Sequence, residues 1–114
     1  MMLKRASLFL VLAALTSAAQ AQGNTGFAIL TAIDVRNDGN FLITVNTDIA
    51  GTPPGCATDQ KRMSGNANTP GGNLMLANAM SAFPTHSTVV AQGTGLCSEY
   101  GNVESLVRLM QVLR

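Results

Sequence analysis

Residues 37–40, Asn-Asp-Gly-Asn, sit between two stretches of alternating apolar character, and this arrangement narrows the choice of folds more than any other feature. Asp and Gly tolerate the positive φ that a tight strand-to-strand connection demands. Before the turn, Phe27, Ile29, Ile33 and Val35 share one face of a strand, and Asp34 and Arg36 end the other. Ala28, Leu30 and Ala32 make that second face apolar at its start, so the first half of the strand is expected to be covered on both sides. After the turn, Phe41, Ile43 and Val45 alternate with Leu42, Thr44 and Asn46. An antiparallel hairpin is therefore the seed of the fold.

What precedes the hairpin has a different logic. Lys4 and Arg5 lead into an apolar run, Ala6 to Leu15, broken only by Ser7, and Ala19-Gln20-Ala21 closes it with small residues at the first and third positions. A charged start, a short apolar core and an A-x-A ending are the three parts of a secretory signal peptide. The run is about half the roughly 20 residues a membrane anchor needs. Residues 1–21 are thus read as a signal peptide and 22–114 as one mature domain, exported to the periplasm or beyond and without a stable membrane anchor. Five basic and six acidic side chains remain in that domain, a formal charge of −1. Such a balance lacks the electrostatic footprint of a nucleic-acid or anionic-lipid binder. The Lys61-Arg62 pair reads as a solvated loop.

The 93 residues after Ala21 contain two cysteines, Cys56 and Cys97. In an exported chain they are expected to form one disulfide. Closing a loop of this length removes about 4 kcal/mol of unfolded-state entropy in the chain-entropy treatment. A metal site would need more ligands than two cysteines and the single His86 supply. No metal and no cofactor are expected.

The remaining elements follow from local pattern. Residues 22–26 read as a frayed polar leader, and Thr52-Pro53-Pro54-Gly55 as a stiff turn presenting Cys56. A short strand is expected around Gln60–Met63, then an exposed Asn- and Gly-rich loop over residues 64–73. Leu74 to Phe83 predicts a helix with Asn73 as N-cap and Pro84 as its end. Leu76, Met80 and Phe83 form its expected inward stripe, flanked by Met75, Ala79 and Ala82, with Asn78 and Ser81 outward. Ser87–Gln92 predicts a strand, and Gly93-Thr94-Gly95 a bulge or bend before Leu96-Cys97. Residues 106–113 fit either a helix or a strand; at the end of a β-rich chain the strand is the reading taken.

No catalytic constellation emerges. Asp34-x-Arg36-x-Asp38-Gly39 resembles a calcium loop only until its third and twelfth positions, which hold Arg36 and Val45. Gly93-Thr94-Gly95 lacks the third glycine and the following helix of a dinucleotide fingerprint. His86 reads as a surface loop residue, and Ser81, Ser87 and Ser98 lie outside any nucleophile-elbow context. Asp34, Glu99 and Glu104 are the acids that would have to converge for carboxylate-pair hydrolysis. The chain is read as a non-enzyme.

Taken together, the order of signals resembles a family. It runs Ile29-x-x-x-Ile33-x-Val35, the Asp38-Gly39 turn, Phe41-Leu42-Ile43-x-Val45, a loop to Cys56, and a helix with Leu74-x-Leu76-Ala77-x-Ala79-Met80-x-Ala82. Val89-Val90, Cys97 and a last apolar strand complete it. This layout, covering most of residues 27–113, is similar to the small secreted OB-fold-like binding subunits of bacterial A-B toxins, the pertussis-like and subtilase-cytotoxin-like group, and their uncharacterised exported relatives. The resemblance implies a mostly β chain folded as a small OB-like Greek-key barrel of about five strands, one helix plugging an end. It also implies a glycan-binding module whose copies ring a separate enzyme chain. The family's glycan pocket uses a Ser near the first strand with aromatic neighbours. Here Gln22–Phe27 has Thr25 and no Ser, so no binding residue carries over. The resulting expectation is an exported, non-catalytic binding module, glycan- or protein-binding and oligomeric. The alternatives are an accessory envelope protein that binds only a partner chain, and a small secreted hydrolase or inhibitor.

Overall fold

A computed structural model describes residues 21–112; the signal-peptide reading, apart from Ala21, falls outside the described residues. Among the described residues seven strands and one helix follow in order: β1 (Gly23–Asn24), β2 (Ala28–Val35), β3 (Asn40–Val45), β4 (Ala50–Gly51), β5 (Arg62–Asn66), α1 (Pro70–Thr85), β6 (Thr88–Gly93) and β7 (Glu104–Gln111). The mostly β class with one helix and one disulfide, expected from the sequence, is the class of the structure.

The hairpin is where the turn signal places it, with Val35 opposite Phe41 and Ile33 opposite Ile43. β3 continues antiparallel to β5, and β5 pairs with β7 in parallel through Met63–Glu104 and Ser64–Ser105. β7 is antiparallel to β6, and β6 returns to β2 through Ala28–Val89. β2 thus pairs with β3 on one side and β6 on the other, and the five long strands close into a ring. A bulge between Leu30 and Ala32 lets β2 serve both neighbours. It also corrects the expected face. Ala28 and Leu30 are buried, whereas Phe27 is 76% exposed; beyond the extra residue, Ile33 turns inward instead.

The core gathers Leu30, Phe41, Ile43, Val45, Met63, Val89, Ala91, Leu106 and Leu109. Phe41 lies opposite Gly65, and a Cβ at Gly65 would come within 2.4 Å of its ring. Only glycine leaves room for the aromatic across the strand pair. Residues 106–111 are strand, as read from the sequence.

The helix departs from its expected frame. It runs Pro70–Thr85 rather than Leu74–Phe83, with Thr69 in place of Asn73 as N-cap and Pro84 inside the last turn. Thr69 Oγ1 accepts the Gly72 N–H at 3.0 Å, and Pro70 fits the first turn because its missing N–H is not needed there. His86 ends the helix in the left-handed conformation, φ 52°. The inward stripe is Gly72, Met75, Leu76, Ala79 and Ala82, while Met80 and Phe83 are exposed. Small residues let the helix backbone lie close to the strands; Met80 or Phe83 on that face would hold it away. Asn78 is on the exposed side but donates to the Leu109 carbonyl at 3.2 Å.

Two stretches expected to be loose are ordered and buried. Gly23 and Thr25 are buried, and Thr25 Oγ1 accepts the Ala91 N–H at 2.9 Å, so the leader extends the sheet. Ser64 and Gly65 belong to β5, and the Asn- and Gly-rich loop shrinks to residues 67–69.

Candidate functional site

The disulfide expected between Cys56 and Cys97 is present, with Cα atoms 6.3 Å apart. It ties the Pro53-Pro54-Gly55 turn to the segment that leads into Ser98 and Glu99. That segment is then held by β7. Ser105 N–H donates to the Leu96 carbonyl at 2.7 Å, Thr94 N–H to the Ser105 carbonyl at 2.8 Å, and Ser98 N–H to Ser105 Oγ at 2.8 Å. Ser105 Oγ in turn donates to Glu99 Oε2. The bend expected at Gly93-Thr94-Gly95 is real, with a register shift at Gly93 and Gly95 at φ 88°.

Facing this wall is the start of α1. Ala67 N–H donates to Gly39 O at 2.8 Å and Asn68 Nδ2 to Asp38 O at 2.8 Å, which docks the 67–69 loop on the hairpin turn. Asn68 N–H is held by Asn66 Oδ1, and Thr69 Oγ1 donates to the Asn66 carbonyl. Between the two walls lies a cavity of about 380 Å³, lined by Asn40, Asn66, Thr69, Ser98 and Glu99 on its polar side. Met75 and Leu106 supply its apolar part. A second, apolar hollow of about 300 Å³ lies between Ile33 and Val35 of β2 and Met80, Phe83 and Pro84 of α1.

The three acids weighed from the sequence are placed far apart in role. Asp34 is exposed and paired with Arg36 at 3.3 Å. Glu104 is buried and accepts backbone N–H groups of Gly23 and Gly95. Glu99 alone enters the groove. His86 is exposed, as a loop residue should be, and Ser87 Oγ meets Thr85 Oγ1 rather than the imidazole. Lys61 and Arg62 are not a free basic patch: Lys61 pairs with Asp48 at 3.7 Å and Arg62 with Asp59. Burial would raise the Asp59 carboxyl, but the Arg62 bond, the Lys61 N–H and the Arg62 charge outweigh it and hold it below its ordinary value.

Sequence reasoning missed the groove because its residues lie in four separate stretches with loop-like composition. The Asn66-x-Asn68-Thr69-Pro70 run was the available signal, an Asx and Ser/Thr capping pattern ahead of a proline. Among the described residues no group of three His, Cys, Asp or Glu side chains could hold a metal, and no helix is long and apolar enough to cross a membrane. No family model, curated protein or solved structure matches the chain.

Proposed function

We propose that this chain is an exported, non-catalytic binding module whose ligand, a glycan or a protein, enters the groove between the 98–99 segment and the start of α1. The observation that carries the reading is the bracing of that groove. One wall is fixed by the Cys56–Cys97 bridge and Ser105, the other by the capping loop at Asn66–Thr69. A site whose walls are locked by packing and hydrogen bonds loses little entropy on binding. Its polar groups are amides, hydroxyls and one carboxylate, a set suited to recognition.

The disulfide is compatible with an oxidising, exported setting. The closed ring, with α1 between β5 and β6 in the chain, is in keeping with the small OB-like toxin-binding subunits, and a homo-oligomeric state is proposed with that reading. The accessory-protein reading draws on a separate feature, the apolar hollow at Ile33, Val35, Met80 and Phe83, which suits a partner chain. Two measurements separate them: the solution mass of the mature protein, and a glycan array read with wild type and Asn66→Ala. Glycan binding lost in Asn66→Ala supports the groove. An array without hits, together with a co-purifying chain lost in Met80→Asp, supports the accessory role instead.

A further inference from the structure

Glu99 is half-buried in the groove, and its charge is not matched. The ion pairs among the described residues join Asp34 to Arg36, Asp48 to Lys61 and Asp59 to Arg62; none reaches Glu99. Among the described residues no Lys, Arg or His lines the cavity. Arg36, which lies 5.8 Å over the Tyr100 ring, is engaged with Asp34. Asp38 sits behind the rim, bonded to Asn40, and adds a second negative charge on that side.

The helix start offsets this only in part, since Gly71 keeps its N–H while its neighbours are accounted for. The first residue of α1, Pro70, has no N–H, and the Gly72 N–H is taken by Thr69 Oγ1. Among the described residues the groove holds a carboxylate and no cationic side chain, which disfavours an anionic ligand. One oxygen of Glu99 is occupied by Ser105, and Oε1 has no partner among the described residues. A single free carboxylate oxygen suits a compact ammonium better than a guanidinium, which seeks two. Met75 and Leu106 provide an apolar path for an alkyl stem.

From this charge and shape complementarity we infer that the groove receives a lysine side chain of a partner protein, its ammonium on Glu99 Oε1 and its methylenes along Met75 and Leu106. The inference rests on the protein arm of the binding-module reading. The probe is acetyl-lysine-methylamide, titrated into the mature protein while backbone amide NMR shifts are followed, with acetyl-norleucine-methylamide as the uncharged analogue. The lysine probe is expected to move the Asn66, Ser98 and Glu99 amides with an affinity about tenfold or more above that of the analogue. Glu99→Gln, which can still accept from Ser105, is expected to remove that advantage. Salt tests the same pairing in wild type alone, since binding should weaken from about 20 to about 200 mM, as screening requires. Equal shifts by both probes, unchanged in Glu99→Gln, would overturn the lysine assignment while leaving the groove as the binding site. Shifts confined to residues outside the groove, for these probes and for an array-positive glycan alike, would overturn the groove reading as well.

Discussion

The carboxylate of Glu104 accepts the backbone N–H of Gly23 through both of its oxygens, at 3.0 and 3.1 Å. The same carboxylate takes the Gly95 N–H at 2.9 Å, so one buried side chain joins the first strand, the last strand and the bend before Cys97. Gly23 and Gly93 are glycine for this reason: a Cβ at either would stand within 2.5 Å of a Glu104 oxygen. Glu104→Ala leaves the buried Gly23 N–H and the partly buried Gly95 N–H without an acceptor. It is expected to cost about 2–6 kcal/mol, at roughly 1–3 per orphaned group. Chemical denaturation measures the loss, and hydrogen exchange should show Gly23 unprotected. An unmoved midpoint would mean that the carboxylate is not what holds β1.

The disulfide should matter for both stability and the groove wall. Cys97→Ser is expected to cost about 2–5 kcal/mol. Because Cys97 leads directly into Ser98 and Glu99, the amides of those two residues should also shift in the folded variant, beyond the neighbours of Cys56. Thiol labelling of the native protein that finds two free cysteines would refute the bridge.

The parts of the fold legible in the sequence were those set by local chemistry. The Asp38-Gly39 turn, the alternation of Phe41, Ile43 and Val45, and the glycines before Cys97 each carry their conformation within a few residues. What eluded the sequence was decided at a distance. Met80 and Ala79 are neighbours on one helix, and only the closeness of the strand layer makes the alanine the inward residue. Thr25 reads as a loop hydroxyl until the Ala91 N–H is beside it. Glu104 in an apolar strand gives no sign that two backbone amides from distant segments await it. The groove is harder still, since Asn40, Asn66 and Glu99 share no pattern and meet only once the ring closes.

Helix facing gives a sharp contrast. Met80 is 57% exposed and Ala79 fully buried. Met80→Ala is expected to change stability by no more than about 0.5–1 kcal/mol. Ala79→Leu should cost about 1–3 kcal/mol through overpacking. A large loss at Met80 instead would show that the apolar hollow beside it is covered in solution.

Asp59 predicts an acid-range effect of defined sign. Its carboxyl is held below the ordinary value in the folded state, chiefly by Arg62 against the opposing effect of burial. A depressed folded pKa contributes stability above the unfolded value, and that contribution is lost as pH falls through the folded one. The stability of Asp59→Asn should therefore converge on that of wild type as the pH drops below about 4, the ordinary Asp range. A gap that stayed constant down to acid pH would show that Arg62 is not the partner that matters.

Gly71 and Gly72, adjacent at the start of α1, should respond in opposite directions to the same substitution. A Cβ at Gly71 meets nothing within 4 Å, whereas one at Gly72 would lie 1.8 Å from the Asn66 carbonyl oxygen and 2.8 Å from Thr69 Oγ1. Neither glycine has a positive φ, so backbone strain does not enter for either. Gly71→Ala should gain up to about 1 kcal/mol, from helix propensity and a less flexible unfolded chain. Gly72→Ala must push the helix away from the 66–69 loop, break the Thr69 cap or do both. Loss of the cap alone costs about 1 kcal/mol, and displacing packed backbone adds about 1–3 more. Thermal melts of the two variants side by side decide the matter. If both alanines stabilise, the helix does not rest against the Asn66 carbonyl and the groove between them is wider than described. If both destabilise, the helix does not begin at Pro70.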